Sequence, residues 1–240
     1  FLVTYDLASG KREDIGLLRT ADGCYAYGMG GARADREGRI WVASDAGVGV
    51  FDGSSWKKYG LSDGLPAAEI NDINVDGEGI LWAATDKGLA YLSRGRFVKF
   101  EEEGGPGEIQ IDCVYFDRGG NTWVGTADKG VYTKSKGRWF RTGSKNGLVT
   151  DAANTLVQTW DNSVWAASWA GISRWDGFGW QGFKPMQWLG TFKARQLGSS
   201  ADRLWYFTAN GVHGSRGSDW LHYTENEGLL SNDVTCGMVV

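Results

Sequence analysis

Residues 64–97 read GLPAAEINDINVDGEGILWAATDKGLAYLSRGRF, and this stretch decides the fold. It places Trp82 in a short apolar run, a glycine six residues later at Gly88 and a second aromatic ring at Phe97. The same three positions recur in five copies at intervals of 40 to 42 residues. The first column holds Trp41, Trp82, Trp123, Trp165 and Trp205, the glycine column Gly47, Gly88, Gly130, Gly171 and Gly211, and the second aromatic column Trp56, Phe97, Trp139, Trp180 and Trp220. Three columns in one register indicate an internal repeat.

Each copy of the repeat reads as four short strands. In the second copy, alternating residues at 70–76 and 89–93 flank an apolar run at 80–85, and 96–101 closes the unit. Strands of about five residues fill such a repeat and leave no room for a helix. The sequence therefore predicts an all-β fold, a β-propeller of four-stranded blades. We expect five complete blades, at approximately 29–69, 70–110, 111–152, 153–192 and 193–233.

The two ends of the chain are out of phase with these blades. Residues 1–16 resemble the third and fourth strands of a blade, and residues 234–240 align with a first strand. Joining the ends gives a blade without its Trp-bearing second strand, which would expose a strand edge. We therefore expect partial strands at both ends of 1–240. This range is either a single propeller domain that closes imperfectly or a fragment of a larger propeller of about seven blades.

Composition excludes several classes of protein. Glycine takes 37 of 240 positions and proline only 3, and 13 tryptophans supply a packed core, so the chain is not disordered. The net charge of −4, without a basic cluster, disfavours nucleic acid as a partner. No apolar run of about 18 residues predicts a membrane span within this chain. Cys24, Cys113 and Cys236 lack metal-ligand spacing and are expected to be small buried hydrophobic residues.

The recurring aromatic residues are predicted to pack between blades, so they identify no ligand site. The acidic turns between the first and second strands favour local turn chemistry. These turns run from Asp35 to Gly38, Asp76 to Gly79 and Asp117 to Gly120. Calcium is the alternative, but each turn offers one or two carboxylates where calcium takes six to eight oxygen ligands. We expect no metal and no cofactor.

The repeat resembles a known family. The stretch 64–97, its echo GLVTDAANTLVQTWDNSVWAASWAGISRWDGFGW at 147–180 and the start GLLSNDVTC at 228–236 are similar to the two-component-regulator propeller repeat. The third and fifth copies depart from it, with GGPGE at 104–108 and WLGTF at 188–192. The resemblance implies a β-propeller sensor domain of a bacterial histidine-kinase-type regulator. It also implies a periplasmic or extracellular location.

Surplus aromatic residues of the fourth copy are candidates for ligand binding. Trp169 stands in the loop between the second and third strands, where other copies place Ala46, Lys87 or Lys129. Trp188 lies in the connection between blades. Exposed rings at these two positions would offer stacking platforms for a sugar or another flat ligand. The alternative is an aromatic lid that shields a blade edge.

Polar residues at the start of each first strand are a second set of candidates, because first strands line the channel of a propeller. The aligned positions include Asn71, Asp112 and Asn154, and Arg195 brings a charge one column later. The Asn and Asp side chains are predicted to bind a polar ligand, or instead to anchor the turn into the strand. The Arg195 guanidinium is predicted to pair with a ligand carboxylate.

These observations favour a non-catalytic ligand-sensing propeller whose partner is a small molecule or a glycan. A protein-interaction scaffold with its partner on the loop face is the alternative. A propeller lyase or hydrolase is a third reading, and it requires His213 to face the channel. For His213 and His222 the simpler interpretation is that both are exposed strand residues.

Overall fold

The structure of the chain is a computed structural model. The structure describes residues 2–5, 12–16, 31–183, 195–216, 219–229 and 231–234, the first two ranges as backbone only. Two strands, β1 (Leu2–Tyr5) and β2 (Arg12–Gly16), form a separate antiparallel hairpin at the beginning of the chain. The other end, from residue 235, lies outside the described residues.

Five four-stranded antiparallel sheets follow the hairpin. Blade one consists of β3 (Gly31–Ala34), β4 (Ile40–Ser44), β5 (Gly47–Phe51) and β6 (Trp56–Tyr59). Blade two consists of β7 (Ile70–Val75), β8 (Leu81–Thr85), β9 (Gly88–Ser93) and β10 (Arg96–Lys99). Blade three consists of β11 (Ile111–Phe116), β12 (Thr122–Thr126), β13 (Val131–Ser135) and β14 (Arg138–Thr142).

Blade four consists of β15 (Thr155–Gln158), β16 (Val164–Ser168), β17 (Gly171–Trp175) and β18 (Trp180–Phe183). Blade five consists of β19 (Gln196–Ser199), β20 (Leu204–Thr208), β21 (Gly211–Arg216) and β22 (Asp219–Tyr223). Within the described ranges, the helical elements are three short 3₁₀ turns, Leu61–Asp63, Ser144–Asn146 and Glu225–Glu227. The predicted all-β propeller with five four-stranded blades is confirmed.

The hydrophobic core lies between blades rather than within them. One cluster joins Trp41 and Tyr59 of blade one to Ile73 and Phe97 of blade two. Three further clusters join blades two and three, three and four, and four and five in the same way. Each sheet buries a face against its neighbour, and most of the column aromatics take part, as the repeat predicts. Those in or against the clusters are Trp41, Trp82, Phe97, Trp123, Trp139, Trp165 and Trp180. Cys113 is buried in this core, as expected for a small hydrophobic residue, and the other two cysteines lie outside the described residues.

The acidic turns between first and second strands bind the tryptophan of their own blade. The indole Nε1 donates to the turn carboxylate at 2.7 Å in blade one (Trp41 to Asp35) and at 2.8 Å in blade two (Trp82 to Asp76). The other oxygen of Asp76 accepts the backbone N–H groups of Glu78 and Ile80. The carboxylate therefore shapes its turn and holds the ring, which is the local chemistry that the sequence indicated. Among the described residues no group of three or more His, Cys, Asp and Glu side chains has metal-binding proximity.

The recurring glycine begins the third strand at a position that excludes a side chain. At Gly88 the φ angle is +101°, which L side chains rarely adopt. A Cβ atom there would also lie 2.6 Å from the backbone oxygen of Gly107 in the connection to the next blade. Both backbone conformation and close packing therefore require a glycine at Gly47, Gly88, Gly130 and Gly211.

Candidate functional site

The first strands of the five blades surround a central cavity of about 300 Å³. Strands β3, β7, β11, β15 and β19 lie side by side in chain order. Their side chains line the cavity, and those with charged or polar groups include Arg33, Asp72, Asp112, Asn154 and Arg195. A concave space with several convergent polar groups has the character of a small-molecule site.

Two of the predicted residues lie at β-bulges. The pairing of β7 with β8 shifts between Ile70 and Asp72, which leaves Asn71 out of register. The pairing of β11 with β12 shifts in the same way around Asp112. A bulge turns the side chain of the extra residue out of the normal alternation. Asn71 and Asp112 are the second residues of their strands, and both line the cavity.

Asn71 joins blade two to blade three. Its Nδ2 donates to the backbone oxygen of Ile111 at 2.8 Å and to Asp86 Oδ1, in the turn between β8 and β9, at 2.9 Å. The amide is therefore fixed by the next blade and by its own. The predicted structural function, anchoring the start of the strand, is carried by a bond that crosses between blades.

Asp112 joins blade three to blade four. Asn154 Nδ2 donates to Asp112 Oδ2 at 2.7 Å, and Gln110 Nε2 lies 3.4 Å from the other oxygen. The pKa of the Asp112 carboxyl is raised to about 6, mainly by burial; the bond from Asn154 opposes this shift, and the nearby Asp86 and Asp128 carboxylates add to it. With this raised pKa the carboxyl changes its protonation state at mildly acidic pH, and it also joins two blades through the bond from Asn154.

Asp72 is a cavity residue that the sequence analysis did not select as a binding candidate. One of its oxygens lies 3.6 Å from Arg33 Nη2 of blade one, and the other accepts the backbone N–H of Val114 at 3.2 Å. Burial raises its pKa to about 6 even though Arg33 favours the charged form. Asp72 occupies the same column of the repeat as Arg195. Asp72 and Arg33 could have been predicted as cavity residues from one signal, an ionisable side chain within a first strand.

Arg195 is engaged by a carboxylate of the chain itself. Its Nη2 lies 2.8 Å from Oδ1 of Asp233, and its backbone N–H donates to Phe207 at the end of β20. The Arg195 side chain is 35% exposed and borders the cavity. The predicted pairing with a ligand carboxylate therefore requires competition with Asp233, which is exposed.

The start of every first strand and the turn between the second and third strands lie at the same end of a blade, which we call the mouth face. In blade four, the N–H of Asn154 donates to Ala167 beside the turn at 169–170. Trp169 stands in this turn with 62% of its surface exposed. The structure thus brings Trp169 to the face that carries Asn71, Asp112, Asn154 and Arg195. Trp188 lies outside the described residues.

The histidines do not occupy the cavity. His213 lies on β21, is 5% exposed and is absent from the cavity lining. The interpretation of both histidines as exposed residues is wrong for His213, because its side chain is covered from β22 by the facing His222 ring and bonds to Thr208 on β20. Burial, and then the facing His222, lower the pKa of His213 to about 4.

Comparison with known proteins gives relatives by structure alone. No protein-family model matches the chain, and no curated protein matches it in sequence. No described residue belongs to a helix that is long and apolar enough to cross a membrane.

Solved structures with the same fold include extracellular domains of two component systems and a lyase. The extracellular domain of BT3049, assigned to a hybrid two component system of B. thetaiotaomicron, matches with a TM-score of 0.68 and 20% identity over 85% of this chain. That of BT4673 from the same organism matches with a TM-score of 0.70 and 17% identity over 86% of this chain. Virginiamycin B lyase from Staphylococcus aureus matches with a TM-score of 0.68 and 16% identity over 92% of this chain and 76% of its own.

The chain spans only 29% and 28% of the two extracellular domains. At these identities the matches show a common fold, and they include the class of protein that the repeat resemblance implied. The chain is therefore a β-propeller built like part of the extracellular domains of hybrid two component systems.

Proposed function

We propose that this chain is a non-catalytic recognition propeller that senses a polar small molecule or glycan at its mouth face, outside the cytoplasm. The observation that carries the proposal is the polar cavity that all five first strands line. The extracellular domains with the same fold support the location and the sensing function.

The size and chemistry of the cavity limit the ligand. About 300 Å³ is at the lower end of the range for small-molecule sites, so a ligand of one or two rings fits it. Each charged or amide group of the cavity has a partner in the chain, but carboxyl oxygens keep a second lone pair that accepts, and amide and guanidinium groups keep further N–H groups that donate. The acceptors are Asp72 and Asp112, and the donors are Arg33, Asn154 and Arg195. A ligand with many hydroxyl groups uses both kinds of partner, because each hydroxyl donates and accepts.

Trp169 adds an apolar surface on the same face. With 62% of its surface exposed, the ring is open to a ligand that extends from the cavity. Stacking on a rigid indole costs little side-chain entropy and gives a large contact area. We expect the part of the ligand outside the cavity to present a flat face to this ring.

A binding screen of mono- and disaccharides and other polar metabolites, read by calorimetry, tests the proposal. For a compound that binds, Trp169→Ala should weaken affinity by about 0.5–1.5 kcal/mol, up to about tenfold in Kd. Trp160→Ala is the matched control, since Trp160 is also exposed in blade four but stands at the other end of β16. Failure of every compound to bind, or equal effects of the two substitutions, contradicts a glycan or small-molecule site at this face.

Catalysis is a second candidate function, and the two cavity carboxyls favour it. Asp72 and Asp112 both have pKa values of about 6, which suits proton transfer near neutral pH. A lyase shares the fold. All four of their oxygens have partners in the chain, however, which favours a structural function. Turnover of a bound compound that is abolished by Asp112→Asn, with binding retained, would establish an enzyme instead of a sensor.

A protein scaffold is the remaining candidate, and Phe178 supports it. The ring is 97% exposed in the turn between β17 and β18, at the end of the blade opposite the mouth face. Aromatic residues are enriched at interfaces between proteins, which is the support that this ring gives to the scaffold. Loss of binding to a protein partner in Phe178→Ala, but not in Trp169→Ala, would support the scaffold.

A further inference from the structure

The only two histidines of the chain face each other in blade five. His213 on β21 and His222 on β22 are directly opposite each other in the antiparallel ladder. Their Nδ1 atoms lie 2.8 Å apart, and the ring centroids are separated by 4.9 Å with the planes at 79°. Only one proton fits between two nitrogens at this distance, so one ring presents a lone pair to the other.

The surroundings of His213 determine which of the two rings presents the Nδ1 lone pair. Thr208 Oγ1 donates its proton to the backbone oxygen of Gly211 at 3.0 Å and accepts the N–H of Asn210. The same oxygen lies 3.2 Å from His213 Nε2, and having no further proton it must accept from that nitrogen. His213 is therefore protonated on Nε2, and its Nδ1 lone pair points at His222. A hydrogen bond to the second ring nitrogen is also what orients histidines that bind metals.

We propose that His213 and His222 form a two-histidine site for a divalent transition metal ion such as Zn²⁺ or Ni²⁺, with water as the remaining ligands. Zn–N bonds of about 2.0–2.1 Å place two nitrogens of a tetrahedral site about 3.3 Å apart, so binding requires the pair to open by about 0.5 Å and both rings to turn until their Nδ1 lone pairs converge on the ion. Imidazole nitrogen is a preferred ligand of these ions. His222 is exposed, which leaves room for water ligands. Water is needed to complete the shell, because the described residues contain no group of three metal-binding side chains.

Metal binding replaces the hydrogen bond between the rings. The proton on His222 Nδ1 leaves as the metal takes its place, and His222 takes up a proton at Nε2, which is the other tautomer of the neutral ring. His213 keeps its proton on Nε2, which continues to donate to Thr208 Oγ1. The metal then links β21 to β22, the outer strand of blade five, and holds the two strands together through side chains.

Affinity for Zn²⁺, measured by competition with a chromophoric chelator, tests the site. Because the second imidazole is already in place, we expect the native pair to bind on the order of 100-fold more tightly than His222→Gln. The measurements use a Cys24→Ser, Cys236→Ser background, so that thiols do not compete for the metal. Equal affinities of the parent and His222→Gln would overturn the proposal.

The number of coordinating nitrogens gives a second and independent readout. Electron paramagnetic resonance of the Cu²⁺-loaded protein should show two equivalent imidazole nitrogens, and His222→Gln should reduce them to one. His222 is exposed, so this variant is expected to keep its fold, which circular dichroism checks. His222→Asn serves as a second variant if glutamine disturbs the strand. A spectrum with one nitrogen in the parent protein refutes the two-histidine site.

Discussion

Replacement of Trp82 by alanine is expected to lower the free energy of unfolding by about 3 kcal/mol. The indole ring lies 5.2 Å from the rings of Tyr91 and Phe100 in its own blade and in the connection after it, and 5.8 Å from Phe116 in blade three. Loss of a buried Trp costs about 3–5 kcal/mol, and the half-buried position of Trp82 places it at the lower end. Lys87→Ala, in the exposed turn after the same strand, should change stability by less than about 0.5 kcal/mol.

Trp82→Phe separates the packing of the ring from its hydrogen bond to Asp76. Phenylalanine keeps most of the aromatic contacts but removes the indole N–H that donates at 2.8 Å. A bond to a charged acceptor is worth about 1.5–3 kcal/mol, and water partly replaces it because Asp76 is half-exposed. We therefore expect Trp82→Phe to cost about 1–2 kcal/mol.

Urea unfolding followed by far-ultraviolet circular dichroism measures these differences, with the slope m checked for each variant. A double-mutant cycle with Asp76→Ala should give a coupling of about 1 kcal/mol, since the two residues share one bond. Equal and small losses in Trp82→Ala and Lys87→Ala would show that the tryptophan column does not hold the blades together.

Two further predictions concern backbone and charge. Gly130→Ala should destabilise the fold by at least about 2 kcal/mol more than Gly137→Ala, since both have similar positive φ angles but only at Gly130 would a Cβ atom collide with Thr142; equal losses by urea unfolding would refute it. Asp72 and Asp112 bind protons more tightly in the folded than in the unfolded chain, with pKa values of about 6 against 3.8. Their contribution to the free energy of unfolding therefore decreases as the pH rises from about 4 to about 6. Asp112→Asn should flatten this part of the stability curve, and an unchanged slope would contradict the raised pKa.

The fold could be predicted from the sequence because a repeat states the same structural requirement five times. A tryptophan, a glycine and a second aromatic in one register fix the second, third and fourth strands of each blade. What the columns did not reveal is why an acidic residue precedes each of the first three tryptophans by six positions. The bond from indole to turn carboxylate, at 2.8 Å in Trp123 and Asp117, explains the spacing.

The site was predictable only in part, because its contacts cross between blades. The bond from Asn154 to Asp112 joins residues 42 positions apart, and a pattern within one copy carries no information about it. The exposure of Trp169 agrees with its place in a turn, while ligand binding by this ring stays a prediction. His213 lies two residues after the column glycine, at a position that is also buried in blades two and four (Ala90 and Ser173), so the repeat carried a signal for its burial. Its contact with His222 depends on the pairing of β21 with β22 and could not be read from one copy.

The cavity residues and Trp169 can be distinguished by what each does in the absence of a ligand. Asp112 links blades three and four, so a loss of binding in Asp112→Asn does not by itself identify a ligand contact. Trp169 is mostly exposed, and removal of an exposed ring from a turn changes stability by little. A loss of affinity in Trp169→Ala at unchanged unfolding free energy therefore reports a ligand on the mouth face. A loss of affinity in Asp112→Asn is interpreted by comparison with Trp169→Ala, after the change in unfolding free energy caused by the lost link between the two blades has been subtracted.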